Sequence, residues 1–371
     1  MEQRYWNTQI TGKTAVVLLN FGGPREAAEV EGFLYEILRD PNTIQLPFPQ
    51  LFQNILARRI ARKRSPETAA QYAEIGGGSP IVPATETIAE GLRSKLTALP
   101  SPPPVFVAHR YIAGWCAATA REVFESGAQE VLAIPLYPHF SFATTGSSLE
   151  QLSQALRDAG FAGQLRSIRS YPDAPQYLEA LSNRLEATLA DAGCKAEETV
   201  VLCSAHGLPV SYVRRGDPYP LELYRTIEGL AGRFPQWQFL LSYQSRVGPA
   251  EWLKPYTDEV LAELADDGAK HLVFLPLSFV NDHIETLFEI GHTYFGMAQA
   301  LGMTPHLVPA IEDHPAHIGF LAEQTQQWLQ GSGGVKADEL LPPDQSFART
   351  GRWALILWLI SLFAAGWIAL V

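Results

Sequence analysis

A chain of 371 residues, 47% hydrophobic and 18% charged, has enough apolar side chains for one large α/β unit or two ordinary domains. Its net charge of −11 argues against a nucleic-acid partner. The three cysteines, Cys116, Cys194 and Cys203, stand at no metal-ligand spacing. That argues against a disulfide framework, a zinc ribbon and an iron–sulfur cluster, and fits a reducing compartment.

Taken in chain order, short runs rich in Val, Ile, Leu and Phe predict buried parallel strands at 15–20, 105–108, 131–135, 165–170, 199–204, 238–242, 271–276 and 306–309. Helical patterns at 148–159, 176–192, 221–233 and 257–266 lie between several of them. Residues 50–64 read as a basic amphipathic helix: Leu51, Phe52, Ile55, Leu56 and Ile60 form a stripe beside Arg58, Arg59, Arg62, Lys63 and Arg64. That pattern suits an anionic lipid surface or a lip over a cleft, with an ordinary surface helix as the plainer reading. The strand–helix alternation predicts an α/β fold with helices on both faces of parallel sheets.

A weak internal repeat divides the chain. Val16-Val17-Leu18-Leu19-Asn20-Phe21-Gly22-Gly23-Pro24 echoes Val200-Val201-Leu202-Cys203-Ser204-Ala205-His206-Gly207-Leu208-Pro209, and Val131-Leu132-Ala133-Ile134-Pro135 echoes Leu272-Val273-Phe274-Leu275-Pro276. The expected organisation is two similar Rossmann-like domains with parallel four-stranded sheets, over 1–173 and 174–330. A linker at 331–351 and a transmembrane helix at 352–371 follow. The strand ends of both domains should face a shared cleft, where open α/β sheets bind ligands. No G-x-G-x-x-G opens a helix after the first strand and no Walker A sequence occurs, which demotes nucleotide chemistry.

Two constellations carry chemistry. His206 follows a buried strand and precedes Gly207-Leu208-Pro209, so its imidazole should project into the cleft, where it can take a proton or a divalent metal. In the segment 279–289, read as a helix, Asp282, Glu285 and Glu289 share one face at i, i+3, i+7. Carboxylates so placed call for a cation or mobile protons, and oxygen with imidazole donors suits ferrous iron or another first-row divalent ion. A solvated acidic face is the plainer reading. The remaining histidines, His109, His139, His271, His292, His306, His314 and His317, show no metal-site spacing; His139 stands out because it follows a strand end.

Residues 353–371 run 19 positions without a charge, and as a helix would span roughly 28 Å, close to a bilayer's hydrocarbon core. Arg349 and Arg352 flank this segment and no basic residue follows it, so residues 1–350 are expected on the cytoplasmic side of a membrane anchor.

The motifs Leu19-Asn20-Phe21-Gly22-Gly23-Pro24, Tyr72 with Ile75-Gly76-Gly77-Gly78-Ser79-Pro80, Arg110-Tyr111, Leu136-Tyr137-Pro138 with Thr144-Thr145-Gly146-Ser147-Ser148, Ser204 to Pro209, Tyr243 to Pro249 and Phe279 to Glu289 together resemble those of ferrochelatases, in the same order, across 14–320. The resemblance implies insertion of Fe²⁺ into protoporphyrin IX with release of two protons, the last step of haem biosynthesis. It implies His206 and Glu285 as the catalytic and metal-contacting pair, and Asp282, His283 and Glu289 as a proton or metal path. Asn20, Phe21, Gly22, Ser79, Pro80, Arg110 and Tyr111 would bind porphyrin. His206 and Glu285 are expected to face each other across the ring from opposite domains. Phe21, where some coproporphyrin-using relatives carry tyrosine, favours protoporphyrin. Iron would be a substrate and no tightly bound cofactor is expected. The tail resembles that of cyanobacterial and plastid members but lacks their Asn-Gly-Arg pigment-ligand pattern, which makes it an anchor contacting lipid. A cobalt, nickel or coproporphyrin chelatase and a non-catalytic tetrapyrrole carrier are the alternatives. A monomer and a homodimer both stay open.

Overall fold

The computed structural model of the chain describes residues 13–43, 50–246 and 250–340. The expected transmembrane helix at 352–371, and most of the expected linker, lie outside the described residues. Among the described residues, no helix is long and apolar enough to cross a membrane.

The strands are β1 (Thr14–Asn20), β2 (Val105–His109), β3 (Glu130–Pro135), β4 (Gln164–Ser167), β5 (Thr199–His206), β6 (Gln238–Gln244), β7 (His271–Pro276), β8 (Thr304–Leu307) and β9 (Val335–Lys336). The helices are α1 (Val30–Arg39), α2 (Gln50–Glu74), α3 (Ile81–Leu96), α4 (Trp115–Glu125), α5 (Ser147–Asp158), α6 (Pro175–Asp191), α7 (Val210–Arg214), α8 (Tyr219–Arg233), α9 (Thr257–Asp266), α10 (Phe295–Ala300) and α11 (Pro315–Leu329). Two sheets result, with orders β2-β1-β3-β4-β9 and β6-β5-β7-β8. All pairings are parallel except β4–β9. The central strands β1, β3, β5 and β7 are buried along nearly their whole length, which is why they read as unbroken apolar runs rather than alternating ones.

The first sheet therefore has five strands where four were expected. Residues 335 and 336, expected in the linker, pair antiparallel with β4 through Val335 opposite Ser167 and Lys336 opposite Arg166. Both are exposed, so this strand leaves no hydrophobic pattern to read.

The two halves share a core. Leu92 of α3, Leu132 of β3, Val201 of β5 and both Leu321 and Trp328 of α11 belong to one apolar cluster. It forms because α11, the last helix of the second half, packs back on α3 and α6. Polar ties reinforce it. Asp217, just ahead of α8, accepts from Ser141 Oγ and from the Phe142 amide, both at 2.8 Å. Glu222 of α8 accepts from the Phe140 amide at 2.6 Å and Ser170 Oγ at 2.9 Å. Burial raises the proton affinity of both carboxyls, and these donors oppose that rise. His139 lies in this seam as a strut. Its Nε2 is 2.8 Å from Thr226 Oγ1, whose own proton goes to the Pro172 carbonyl at 2.7 Å, so Nε2 carries the hydrogen.

Candidate active site

β5 delivers His206 as its final residue, two positions beyond the expected strand end. Gly207 makes the exit feasible: its amide donates to the Gln244 carbonyl at 2.7 Å, and an added Cβ would lie 2.8 Å from that oxygen. The His206 backbone is clamped by a closed ring of hydrogen bonds. Its N–H donates to Ser278 Oγ (3.0 Å), that hydroxyl bonds the Tyr219 phenol (2.5 Å), and the phenol donates to the His206 carbonyl (3.2 Å). The imidazole Nδ1 is 2.6 Å from the Gly207 carbonyl, which can only accept. Nδ1 therefore carries the hydrogen in the neutral ring, and Nε2 presents a lone pair.

Nε2 faces Glu285 Oε1 at 3.8 Å. Both residues come from the second half of the chain, His206 from β5 and Glu285 from the segment after β7. The expectation that they flank the ring from opposite domains is therefore corrected. A planar ring between two groups needs roughly 7 Å, twice a contact distance of about 3.5 Å, so the pair converges on one side of the cleft. The first half contributes the other wall. Tyr72 of α2 lies close enough for the Glu285 carboxylate to add to burial in raising its phenol pKa. Phe21, after β1, is half-buried, with its ring 4.4 Å from Tyr111 and 6.2 Å from Phe33.

Behind the pair the groups become drier. Glu285 Oε2 is buried without a hydrogen bond among the described residues and lies 3.9 Å from His283 Nε2. His283 is itself buried with neither ring nitrogen bonded, and burial pushes its pKa down to about 3. Glu289 accepts from the Ser245 amide at 3.1 Å and its hydroxyl at 2.5 Å. Burial first, then the charge of Glu285, raises the Glu289 pKa.

The segment carrying these groups is not the α-helix that the i, i+3, i+7 spacing assumes. Residues Glu285–Tyr294 wind with i→i+5 hydrogen bonds, a wide form frequent at functional sites. Asp282 precedes this helix. Its Oδ1 accepts from Thr286 Oγ1 at 2.9 Å and its Oδ2 from the Ala310 amide at 3.3 Å. The expected three-carboxylate face is thus two carboxylates plus a loop clamp. The first half repeats the device: Phe142–Gly146 winds the same way after β3, extending the sequence echo between β3 and β7.

Several residues expected to touch porphyrin are committed elsewhere. Asn20 is buried and bridges the halves, its amide donating to Thr85 Oγ1 and Asn281 Oδ1, both at 2.8 Å. Arg110 Nη2 meets Asp40 at 2.7 Å, its Nε donates to Ser147 Oγ at 2.7 Å, and its cation lies 4.6 Å from the Tyr111 ring. The Tyr111 phenol donates to the same Asp40 oxygen at 2.7 Å. This buried group satisfies itself, as an ion pair withdrawn from water must. Gly22 is buried behind Phe21 against His109 and Ile112, and Ser79 is buried with its amide on the Pro24 carbonyl at 2.7 Å. Pro80 caps α3 and is half-buried. Of that set, Phe21 and Pro80 keep accessible surface, with part of Arg110. Sequence reasoning missed Tyr219 and Ser278, which hold His206, and Asp40. None belongs to a motif, and each acts through a contact between segments far apart in the chain.

A family model described as ferrochelatase matches residues 13–329. A ferrochelatase of Synechococcus sp. (strain RCC307) is 42% identical over 86% of this chain and 83% of its own. One of Synechococcus elongatus is 39% identical over 96% of this chain and 92% of its own, and one of Geotalea daltonii 38% identical over 86% and 99%. Among solved structures, SirB from Bacillus subtilis with Fe³⁺ superposes with a TM-score of 0.51 at 13% identity, over 85% of this chain and 95% of that one, a likeness of fold. A family match over most of the chain, together with the convergence of His206 and Glu285 at the strand ends, leaves one conclusion: the chain belongs to the ferrochelatase family.

Proposed function

We propose that the chain inserts Fe²⁺ into protoporphyrin IX, with His206 and Glu285 as the reacting pair. The carrying observation is the Nε2 lone pair aimed at a carboxylate 3.8 Å away, with buried His283 behind that carboxylate. Porphyrin metallation breaks two pyrrole N–H bonds and forms the iron–nitrogen bonds, so two protons must leave. A positioned base lowers that barrier. One of His206 and Glu285 accepts the two pyrrole protons in turn and releases each toward solvent, while the other meets the incoming iron. Glu289, whose proton affinity is already raised, can take up a proton that leaves the pair, and His283 stays neutral beside them. Asp282 fixes the turn that aims Glu285. The porphyrin enters against Phe21, opposite the acidic wall. Iron is a substrate here, and the reaction needs no resident cofactor.

Anaerobic metal insertion followed by porphyrin absorbance tests this. Protoporphyrin IX with Fe²⁺ should exceed coproporphyrin III in kcat/KM by at least about 10-fold, the order of discrimination an apolar contact such as Phe21 supplies. Faster insertion of Co²⁺ or Ni²⁺ than of Fe²⁺ would favour a different metal. Tight porphyrin binding with no insertion of any metal would leave a carrier.

Membrane attachment is part of the proposal. Its support is the uncharged run at 353–371 and α2, which is packed inside out. Gln53, Ala57 and Ala61 are buried, while Leu51, Phe52 and Ile55 are exposed beside Arg58, Arg59, Arg62 and Lys63. Exposed large apolar groups next to cations match an anionic bilayer surface. Flotation with vesicles containing anionic lipid should retain the full chain. Removing 352–371 should leave weak, salt-sensitive binding, which Leu51→Gln with Phe52→Gln abolishes. Equal flotation of the truncated and full chains would remove the anchor.

A further inference from the structure

On the far side of the second sheet from His206, three potential metal ligands meet. Cys194 lies in the turn from α6 to β5, just after Gly193, which takes a left-handed conformation (φ 60°) to end the helix. His271 opens β7 and His306 lies on β8. β7 is central between β5 and β8, with His271 opposite Thr199 on one side and Thr304 on the other. The strand starts thus gather side chains that are remote in sequence, and no spacing announces them.

The ligand atoms of Cys194, His271 and His306 all lie within 4.8 Å of one another, and each residue is half-buried. His271 Nδ1 and His306 Nε2 are 3.2 Å apart, with rings stacked at 21°. Around a tetrahedral ion with nitrogen at about 2.0–2.1 Å and sulfur at about 2.3 Å, neighbouring ligand atoms are roughly 3.3–3.7 Å apart. The imidazole pair already stands at chelating separation, and the thiol needs a shift of at most about 1.3 Å. Ligation by Cys194 would release its thiol proton, since the thiolate is the ligand. Lys270, next to His271, is held by Glu198 at 2.6 Å, which offsets its charge.

We infer that Cys194, His271 and His306 form a site for a borderline first-row cation of the Zn²⁺ class, a structural staple distinct from the iron that is the substrate. Thiolate with two imidazoles selects such an ion over Mg²⁺ or Ca²⁺, and water completes the tetrahedron. The staple ties the α6–β5 turn to the starts of β7 and β8. It stands at the opposite end of β5 and β7 from the catalytic loops, about 16 Å along β7 and about 23 Å along β5. It also departs from the sequence-based expectation of no bound metal.

Co²⁺ titration of the metal-stripped full chain tests it, because a thiolate–cobalt charge-transfer band reports sulfur ligation that the His206–Glu285 pair cannot give. Cys116 and Cys203 are buried and belong to no such cluster of three ligands among the described residues. One equivalent should give the band with the visible intensity of tetrahedral cobalt. Cys194→Ser should abolish it, and His271→Gln or His306→Gln should weaken binding by at least about 10-fold. Zn²⁺ should displace the cobalt and raise the Tm by a few degrees in the unaltered chain but not in Cys194→Ser. Iron insertion by Cys194→Ser should stay unchanged. Absence of the band in the unaltered chain, or a band of equal strength in Cys194→Ser, overturns the site.

Discussion

His206→Ala lowers kcat for iron insertion by roughly 10²–10⁴-fold, the usual contribution of a positioned base, while porphyrin affinity, read by fluorescence quenching, changes little. The imidazole is 38% exposed and held by its backbone ring to Ser278 and Tyr219, so the truncation leaves the strand end in place. Glu285→Gln keeps the shape of the carboxylate and removes its charge. It gives a loss of the same order, and it also lowers the proton affinity of Glu289, because a negative neighbour that raised it is gone. The acid limb of the kcat profile should accordingly move to lower pH in this variant. Tyr219→Phe separates positioning from chemistry: it breaks the clamp on the His206 carbonyl while leaving Nε2 and Glu285 intact, so kcat falls modestly and the pH profile keeps its shape. If porphyrin affinity collapsed in His206→Ala while kcat held, the residue would be a binding group and the assignment wrong.

The fold should be acid-labile, and steeply so. Burial holds four histidines neutral: His109 and His317 are pushed down to about 4, His139 and His283 to about 3. In the unfolded chain each titrates near 6.5. Between those limits the unfolded state binds more protons than the folded one, so stability is complete above about pH 6.5 and falls as pH drops toward the folded values. Each fully titrating group contributes about 1.4 kcal/mol per pH unit, and four give about 5 kcal/mol per unit near pH 5. Asp217, Glu222 and Glu289 act the other way. Their folded pKa values are raised, so the folded state takes up their protons first and recovers part of the loss. Urea unfolding at pH 7.5, 6 and 5 measures the sum. His109 gives the cleanest check, because it touches no reacting group and neither ring nitrogen bonds among the described residues. His109→Gln should flatten the slope by about one histidine's share. A stability flat from pH 7 to 5 would mean that these imidazoles are not neutral in the fold.

The eight strands expected from sequence all occur, within about two residues at most ends, because central parallel strands are buried on both faces and write themselves as continuous apolar runs. β9 stayed invisible for the converse reason, since Val335 and Lys336 are exposed and pair through backbone alone. At the site, His206 and Glu285 were legible from motifs, but their geometry was not. An α-helical period placed Asp282 beside Glu285, whereas the wide helix begins after Asp282 and leaves it bonded to Ala310. Arg110, expected against porphyrin, is held by Asp40, 70 positions earlier. Local pattern reports which face of an element is buried. It carries nothing about which distant polar partner a side chain has found.

The return of α11 and β9 to the first half has a consequence for synthesis. A ribosome finishes β4 long before it reaches α11, and until then α3 lacks the cover of α11, whose Ile318 lies against Gly91, and β4 has a bare edge. At roughly 5–20 residues per second that interval is on the order of 10–30 s. The nascent first half therefore waits with a hydrophobic helix face and an unpaired strand, the two surfaces that chaperones bind and neighbouring nascent chains mispair with. Completion of this fold is gated by α11 and β9 rather than by either half alone.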